Sequence, residues 1–142
     1  KGFGMDVVAF DPYVDAAADV PIVGLDELMA TSRFIVLACP LTSDTARLIN
    51  ADRLALARPD AYLVNVARGQ VVVEADLIAA LNNGRLAGAA LDVFEVEPLP
   101  VDSRLRALPN VVLGAHNASN TREGVARTSA TAVDFLIEEL TK

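Results

Sequence analysis

The chain is poor in the residues that build metal centres and disulfide scaffolds. Its 142 residues include one cysteine, Cys39, one histidine, His116, and no tryptophan. A single cysteine cannot form an internal disulfide, and one cysteine with one histidine is too small a set for the common zinc sites. The sequence therefore predicts neither a disulfide framework nor a resident metal ion.

Basic residues and long apolar runs are also scarce. Twelve Lys and Arg residues stand against nineteen Asp and Glu residues, which gives a net charge of −7 at pH 7, and this balance repels nucleic-acid phosphates and anionic lipid headgroups. The longest apolar run, Phe34–Cys39, is far shorter than the roughly 20 residues that cross a bilayer, and the N-terminus has no signal-peptide pattern. We therefore expect no nucleic-acid or membrane partner and a cytoplasmic protein.

The composition is that of a folded domain. Hydrophobic residues make up 53% of the chain and charged residues 22%, which excludes a disordered chain and provides for a sizeable core. The length corresponds to one domain.

Short β-branched apolar runs alternate with segments of helical periodicity. The predicted strands are Val7–Phe10, Phe34–Ala38, Tyr62–Val66, Gly88–Val93 and Val111–Leu113. The predicted helices are Asp26–Ala30, Ala51–Ala57, Val73–Leu81 and Thr121–Leu140. Because almost wholly apolar strands that alternate with helices are typical of a parallel sheet covered on both faces, the pattern predicts an α/β fold with a doubly wound parallel sheet.

The first predicted strand begins only a few residues into the chain. The strand and glycine-rich loop that usually open a dinucleotide-binding unit have no room before it. We therefore expect a Rossmann-like domain over residues 1–142 that lacks its first strand and glycine loop.

Asp11 follows the first predicted strand directly. A carboxylate at this point can accept hydrogen bonds from both hydroxyls of an adenosine ribose and repels a 2′-phosphate, which favours NAD over NADP. Aspartate before Pro12 is also a common turn former. Without the glycine loop, Asp11 alone predicts the turn more often than the ribose contact.

Two further strand ends carry candidate residues. The strand Phe34–Ala38 leads into Cys39 and Pro40, a turn that could line an adenine pocket or serve the fold alone, and Cys39 is more typical of a small buried hydrophobe than of a reactive thiol. The strand Tyr62–Val66 leads to Arg68, whose forked guanidinium suits a carboxylate ligand. The alternative for this arginine is a salt bridge to a neighbouring helix.

Three more polar residues lie at or just after strand ends. Asp92 and Glu97 belong to one such segment, and His116 follows the last predicted strand. In a parallel sheet these three residues and Arg68 gather at one edge, as the residues of an α/β active site do. A carboxylate beside an imidazole fixes its tautomer, so the edge predicts acid/base chemistry at His116. A histidine without such neighbours is more often structural.

These segments resemble the D-isomer-specific 2-hydroxyacid dehydrogenases over nearly the whole chain. The matching motifs are Phe10-Asp11-Pro12-Tyr13, Cys39-Pro40-Leu41-Thr42 with Thr45 and Leu48-Ile49, Asn65-Val66-Ala67-Arg68-Gly69, the run from Ala87 to Pro98, and His116. The segment from Gly114 to Thr121 is similar to that of phosphoglycerate-dehydrogenase-like members. The resemblance implies hydride transfer between NAD and the C2 carbon of a D-2-hydroxy acid, a small 2-hydroxy or 2-keto acid as substrate, and a homodimer.

The resemblance also implies roles for individual residues. On the cofactor side it places Asp11 at the adenosine ribose, Cys39 and Pro40 at the adenine, Val66, Ala67 and Arg68 beneath the nicotinamide with His116 beside it, and Asp92 at the carboxamide. On the substrate side, Arg68 would bind the carboxylate and the C2 oxygen. His116, paired with Glu97, would be the base in oxidation and the acid in reduction.

Further implications concern the extent of the protein. By the resemblance, residues 1–142 are the C-terminal portion of a dinucleotide-binding domain, the substrate domain lies outside this chain, and the isolated chain binds NAD weakly or not at all. Two alternatives stay open, namely a non-enzymatic NAD-sensing relative of the corepressor type and an inactive truncated fragment.

Overall fold

The computed structural model describes residues 2–15 and 19–142. In chain order its helices are α1 (Leu25–Thr31), α2 (Ala51–Leu56), α3 (Glu74–Asn82) and α4 (Arg122–Leu140), and its strands are β1 (Phe34–Leu37), β2 (Tyr62–Asn65), β3 (Gly88–Leu91) and β4 (Val111–Leu113). Two short 3₁₀ helices, Gly69–Val71 and Arg104–Ala107, lie after β2 and β3.

The four strands form one parallel sheet in the order β1-β2-β3-β4. The last residues of the strands are in register, with Leu37 opposite Asn65, Asn65 opposite Leu91, and Leu91 opposite Leu113. The carboxyl ends of all four strands therefore meet at one edge of the sheet. The predicted α/β, Rossmann-like architecture is confirmed.

The ends of the elements differ from the prediction by one or two residues, partly because side chains cap the helices. Asn50 precedes α2 and accepts a hydrogen bond from the Arg53 amide. Thr121 was predicted inside the last helix, but it is the N-cap of α4 and accepts from the Gly124 amide. Both are residue types that favour the cap because the side-chain oxygen satisfies an amide with no partner in the helix.

The predicted first strand, Val7–Phe10, is wrong. Only Ala9 pairs, in an isolated parallel bridge with Ile22, where the Ala9 amide donates to the Pro21 carbonyl (2.9 Å) and the Val23 amide donates to the Ala9 carbonyl (2.8 Å). The next donor along this ladder would be the amide of residue 21, which is a proline and has no N–H. An apolar, β-branched run shows strand propensity but does not show whether its neighbour can pair.

The hydrophobic core lies between the sheet and the helices α1, α2 and α3. Its largest fully buried side chains include Met29, Ile35, Ile49, Leu54, Leu63, Leu77, Leu86 and Leu105. Strand β1 shows the reason for this packing, because its residues alternate between exposed and buried positions. None of the helices in the described part of the chain combines the length and the apolarity of a bilayer-spanning segment.

The opposite face of the sheet is open to solvent. Val36 is 58% exposed and Val112 is 70% exposed, and the rings of Phe34 and Tyr62 stack there with centroids 5.7 Å apart. Helix α4 does not pack on this face, since all of its side chains are exposed. The expected cover on both faces is thus present on one face of the described chain only.

Candidate active site

The turn that carries Arg68 is fixed by a buried amide side chain. Asn65, the last residue of β2, is 1% exposed, and its Oδ1 accepts from the Ala67 amide (3.0 Å) while its Nδ2 donates to the Arg68 carbonyl (3.0 Å). Both ends of the amide are satisfied within the turn, as a buried polar group requires. The sequence motif contains Asn65, but this role was missed. Its available signal was an amide that ends an otherwise apolar strand.

Gly69 brings this turn against the loop that follows β3. A Cβ atom on Gly69 would lie 1.8 Å from the backbone carbon of Phe94, so no larger residue fits at this close approach. The side chain of Gln70 adds a hydrogen bond to the Glu95 carbonyl (3.0 Å). The ends of β2 and β3 therefore share one packed edge.

Glu97 and His116 form the central pair of the site. His116 Nδ1 lies 2.7 Å from Glu97 Oε2, and Glu97 Oε1 accepts from the Phe94 amide (2.9 Å). The hydrogen bond with His116, followed by that from Phe94, lowers the pKa of the Glu97 carboxyl, and the positive charge of Arg68 lowers it further. Because Nδ1 is engaged with the carboxylate, Nε2 is the ring nitrogen left for proton exchange.

The backbone of His116 is held in an uncommon conformation by Asp92. Its φ is +56°, which few residues other than glycine adopt. The His116 amide donates to the Asp92 carbonyl (2.8 Å), and the amides of Asn117 and Ala118 donate to Asp92 Oδ1 (3.0 Å) and Oδ2 (2.7 Å). These amides, that of Asn117 first, lower the pKa of the Asp92 carboxyl. Of the four predicted residues, Asp92, Glu97 and His116 thus meet at one edge, and Arg68, which follows β2 at the same edge, is near enough for its charge to act on Glu97.

The approach of Asp92 to the histidine turn depends on Gly114. A Cβ atom on Gly114 would lie 2.4 Å from Asp92 Oδ1, so a larger residue would displace the carboxylate. The sequence analysis did not find this contact, because it joins the end of β3 to a turn more than twenty residues later. We interpret Asp92 as the residue that holds the His116 turn in place.

We expect the Asp92→Asn variant to lose the pH-dependent part of the stability that the Asp92 carboxylate gives the folded protein. The pKa of Asp92 is below its ordinary value of 3.8, so its contribution to stability is complete above that pH and is lost as the pH falls through the lowered pKa. Urea denaturation between pH 7 and about pH 3 should show a steeper loss of unfolding free energy in the wild type than in Asp92→Asn. Parallel pH dependence in the two proteins would contradict this role.

The remaining cofactor candidates lie at the same edge with different exposure. Cys39 is half-buried against the core, as expected for a small hydrophobe, and Pro40 is exposed with its carbonyl accepting from Thr45 Oγ1 (2.6 Å). Val66 is 41% exposed, whereas Ala67 is buried in the core. At this edge of the sheet, the Val66 side chain is therefore accessible and the Ala67 side chain is not.

Asp11 is not joined to the other four residues. Its Oδ1 accepts from the Tyr13 amide (2.9 Å), which is the turn-forming role that the sequence left open. Within residues 2–15 and 19–142, no hydrogen bond or ion pair connects Asp11 to the His116 edge. The ribose contact remains a prediction.

A cavity of about 490 Å³ lies beside the central pair. His116, Glu97 and Arg106 are its polar lining residues, and the rest of the lining is apolar. Sequence reasoning missed Arg106, since it belongs to the 3₁₀ helix Arg104–Ala107 and not to a strand end.

A parallel sheet with its polar residues gathered at the carboxyl edge is typical of the Rossmann-like class of nucleotide-binding domains. Comparison with protein families identifies the family within this class. Residues 1–118 match the NAD-binding domain of the D-isomer specific 2-hydroxyacid dehydrogenases, and the chain belongs to that family.

Curated relatives carry the names of small-acid reductases. Glyoxylate reductase from Thermococcus onnurineus is 45% identical over 137 residues, which are 92% of this chain and 41% of that protein. Glyoxylate/hydroxypyruvate reductase B from Serratia proteamaculans is 50% identical over 117 residues, which are 82% of this chain and 36% of that protein. The chain thus spans about two fifths of the length of these relatives. The similarity to phosphoglycerate-dehydrogenase-like members, which the segment from Gly114 to Thr121 indicates, remains a prediction.

Solved structures share the fold. A D-isomer specific 2-hydroxyacid dehydrogenase from Xanthobacter autotrophicus Py2 in complex with NADPH and MES has a TM-score of 0.77 and 46% identity, and the match covers 80% of this chain and 37% of that one. An acyclic imino acid reductase in complex with NADPH and D-Arg has a TM-score of 0.93 and 28% identity, with 99% of this chain and 45% of that one covered.

The residues at the edge fit the nicotinamide end of a dinucleotide. Val66 offers an exposed apolar surface, which suits one face of a planar ring, and it is followed by the turn that carries Arg68. The His116–Glu97 pair places an acid/base group at the same edge. Such an edge suits a nicotinamide cofactor, which exchanges a hydride, beside a group that exchanges the accompanying proton.

Proposed function

We propose that the chain carries the cofactor-binding and acid/base residues of an NAD-dependent D-2-hydroxyacid dehydrogenase that acts on small 2-keto or 2-hydroxy acids. The observation that supports this most is the convergence of Arg68, Asp92, Glu97 and His116 at the carboxyl edge of the sheet. The names of the relatives point to glyoxylate and hydroxypyruvate as the first substrates to test.

His116 exchanges the proton in this proposal. The nicotinamide ring, when bound, supplies or accepts a hydride at the substrate C2 carbon. In reduction, His116 Nε2 gives a proton to the C2 oxygen and the keto group becomes a hydroxyl. In oxidation, Nε2 takes that proton back. Glu97, which contacts Nδ1 (2.7 Å), stabilises the charged ring and keeps its orientation, as a carboxylate partner of a catalytic histidine does.

Arg68 binds the substrate carboxylate and polarises the C2 carbonyl. The Asn65 side chain donates to the backbone carbonyl of Arg68, and Arg68 Nη1 donates to the Ala67 carbonyl (2.7 Å). The guanidinium is therefore oriented before the substrate arrives. A planar, permanently charged fork is suited to a planar carboxylate.

Asp92 has two roles in the proposal. Its carboxylate holds the His116 turn through the Asn117 and Ala118 amides. Each carboxylate oxygen has a second lone pair, which leaves Asp92 able to accept from the nicotinamide carboxamide as well.

The activity is tested on the complete polypeptide that the gene encodes. Reduction of glyoxylate and hydroxypyruvate is followed by the absorbance of NADH or NADPH, and the product of hydroxypyruvate is resolved on a chiral column. Turnover with a D-configured product supports the proposal. Binding of the cofactor that changes only the assembly state, with no turnover, would instead identify the non-enzymatic sensor. Absence of both binding and turnover would contradict the cofactor assignment.

We expect Asp11 to give the protein a preference for NAD. Its carboxylate would bond the ribose hydroxyls and repel the 2′-phosphate of NADPH, although two of the similar solved structures contain NADPH. Asp11→Ala should shrink the ratio of kcat/KM for NADH to that for NADPH by about 10- to 100-fold, the effect of losing charge-assisted hydrogen bonds. Asp6→Ala, in the same exposed segment, is the matched control. A ratio unchanged in Asp11→Ala would restrict Asp11 to its turn.

The homodimer and the cytoplasmic location complete the proposal. Light scattering on the complete polypeptide tests the first, since it should give twice the monomer mass. Fractionation of the source cells tests the second.

A further inference from the structure

We propose that Arg106 forms a second anion-binding subsite in the cavity beside His116, and that it favours 2-keto acids with a second anionic group, either a carboxylate or a phosphate ester. The inference rests on the proposed function, because it concerns the far end of the same substrate. It assigns a role to a side chain that neither the strand-end pattern nor the central pair includes.

The guanidinium of Arg106 is fixed in place and keeps its charge. Its Nε donates to the Pro100 carbonyl (2.9 Å) and its Nη2 donates to the Leu99 carbonyl (2.8 Å). The third nitrogen, Nη1, makes no hydrogen bond with the residues that the structure describes, and no carboxylate among them pairs with the group. Carbonyl oxygens orient the fork without neutralising it.

Three other arginines in the described chain lie within 4.0 Å of a carboxylate, namely Arg33, Arg53 and Arg58. Arg58 forms a two-pronged pair with Asp60 (2.8 and 3.1 Å), and Arg53 lies 3.7 Å from Asp26. Arg106, which is exposed, differs from these three because it lines the cavity and is oriented by carbonyl groups alone, with no acidic partner among the described residues. An oriented cation of this kind is suited to a carboxylate or phosphate ligand.

The cavity has the size and the lining for a longer acid. Its volume of about 490 Å³ lies in the range of small-molecule sites and exceeds what a two-carbon acid such as glyoxylate fills. His116 and Arg106 are its basic side chains. The acidic side chain of the lining, Glu97, is paired with His116 (2.7 Å). Phe94, Leu99 and Ala115 supply apolar surface. That surface suits the carbon chain that joins two acidic groups.

Kinetics of the complete polypeptide test the subsite with two matched substrate pairs. The first pair is 2-ketoglutarate and 2-ketovalerate, which differ in a terminal carboxylate, and the second is phosphohydroxypyruvate and hydroxypyruvate, which differ in a phosphate ester. We expect the wild type to favour the member with the second anionic group in at least one pair, and the pair identifies the group that Arg106 accepts. In Arg106→Gln, the ratio of kcat/KM for the acid with a second anionic group to kcat/KM for its monoanionic partner should fall by about 10- to 100-fold.

Two further variants separate charge from a structural role. Arg106→Lys keeps the charge but loses the planar guanidinium, so it should retain part of the preference for the acid with a second anionic group. Arg104→Gln removes an exposed arginine of the same 3₁₀ helix that does not line the cavity, and it should leave the ratio unchanged.

Several outcomes would overturn the inference. An equal loss for both members of each pair in Arg106→Gln would show that Arg106 only holds the turn at Leu99 and Pro100. Ratios that Arg106→Gln does not alter, with hydroxypyruvate still reduced by the wild type, would reject the subsite and leave the proposed function intact. If the wild type reduced none of the four acids, the proposed function would fail and the subsite with it.

Discussion

Replacement of His116 by asparagine should lower kcat for 2-keto acid reduction by about 10²- to 10⁴-fold, the range for loss of a general acid. Asparagine is the informative choice because His116 has a φ of +56°, and asparagine is one of the few residues that adopt this conformation readily. The turn and its contacts with Asp92 should therefore survive while the proton donor is removed. The measurement is steady-state reduction of hydroxypyruvate at saturating cofactor.

Two controls make the His116→Asn result specific. Calorimetric binding of the reduced cofactor should stay within a few-fold of the wild type, since the change removes chemistry and leaves the edge of the sheet intact. The pKa of Glu97 should rise toward its ordinary value, because its hydrogen bond with His116 is the largest cause of the lowering. A kcat within threefold of the wild type would remove His116 from the acid/base role.

The sheet could be predicted from the sequence because the hydrophobicity of each strand indicates that it is buried. Strands such as β2 are almost wholly apolar, and burial between a sheet and its helices is what selects such runs. The run Val7–Phe10 has the same local pattern, but its pairing depends on Pro21, which is distant in sequence and has no amide to donate. Strand propensity therefore does not predict a strand correctly when strand formation depends on whether a distant segment can form hydrogen bonds with it.

The candidate site divides in the same way. Arg68, Asp92, Glu97 and His116 could be grouped because parallel strands bring their carboxyl ends to one edge, and the structure places them together. The contact of Asp92 with the His116 turn could not be predicted, since it requires a left-handed residue and the absence of a side chain at Gly114. The position of Arg106 at the cavity could not be predicted either, because Arg106 belongs to a 3₁₀ helix and does not follow a strand.

Replacement of Arg68 by methionine should lower kcat/KM for 2-keto acids by about 10²- to 10³-fold, as expected when a charge-assisted contact to a substrate carboxylate is lost. Methionine keeps most of the apolar stem, so the edge between β2 and β3 should stay packed. Arg68→Lys should recover little, because an ammonium group is a point charge and cannot bind both the carboxylate and the C2 oxygen in one plane. The measurement is the full KM and kcat analysis with hydroxypyruvate.

The matched control for Arg68 is Arg85→Met, which removes an exposed arginine from the loop before β3. Free guanidinium added to an Arg68→Ala variant should restore part of the lost activity, which a change that merely unfolds the turn would not allow. Arg68 lies close enough to Glu97 to lower the pKa of that carboxyl, so its removal should also shift the acid limb of the pH–rate profile upward. If Arg68→Met reduced hydroxypyruvate as well as Arg85→Met does, the substrate carboxylate would have to be bound by another residue.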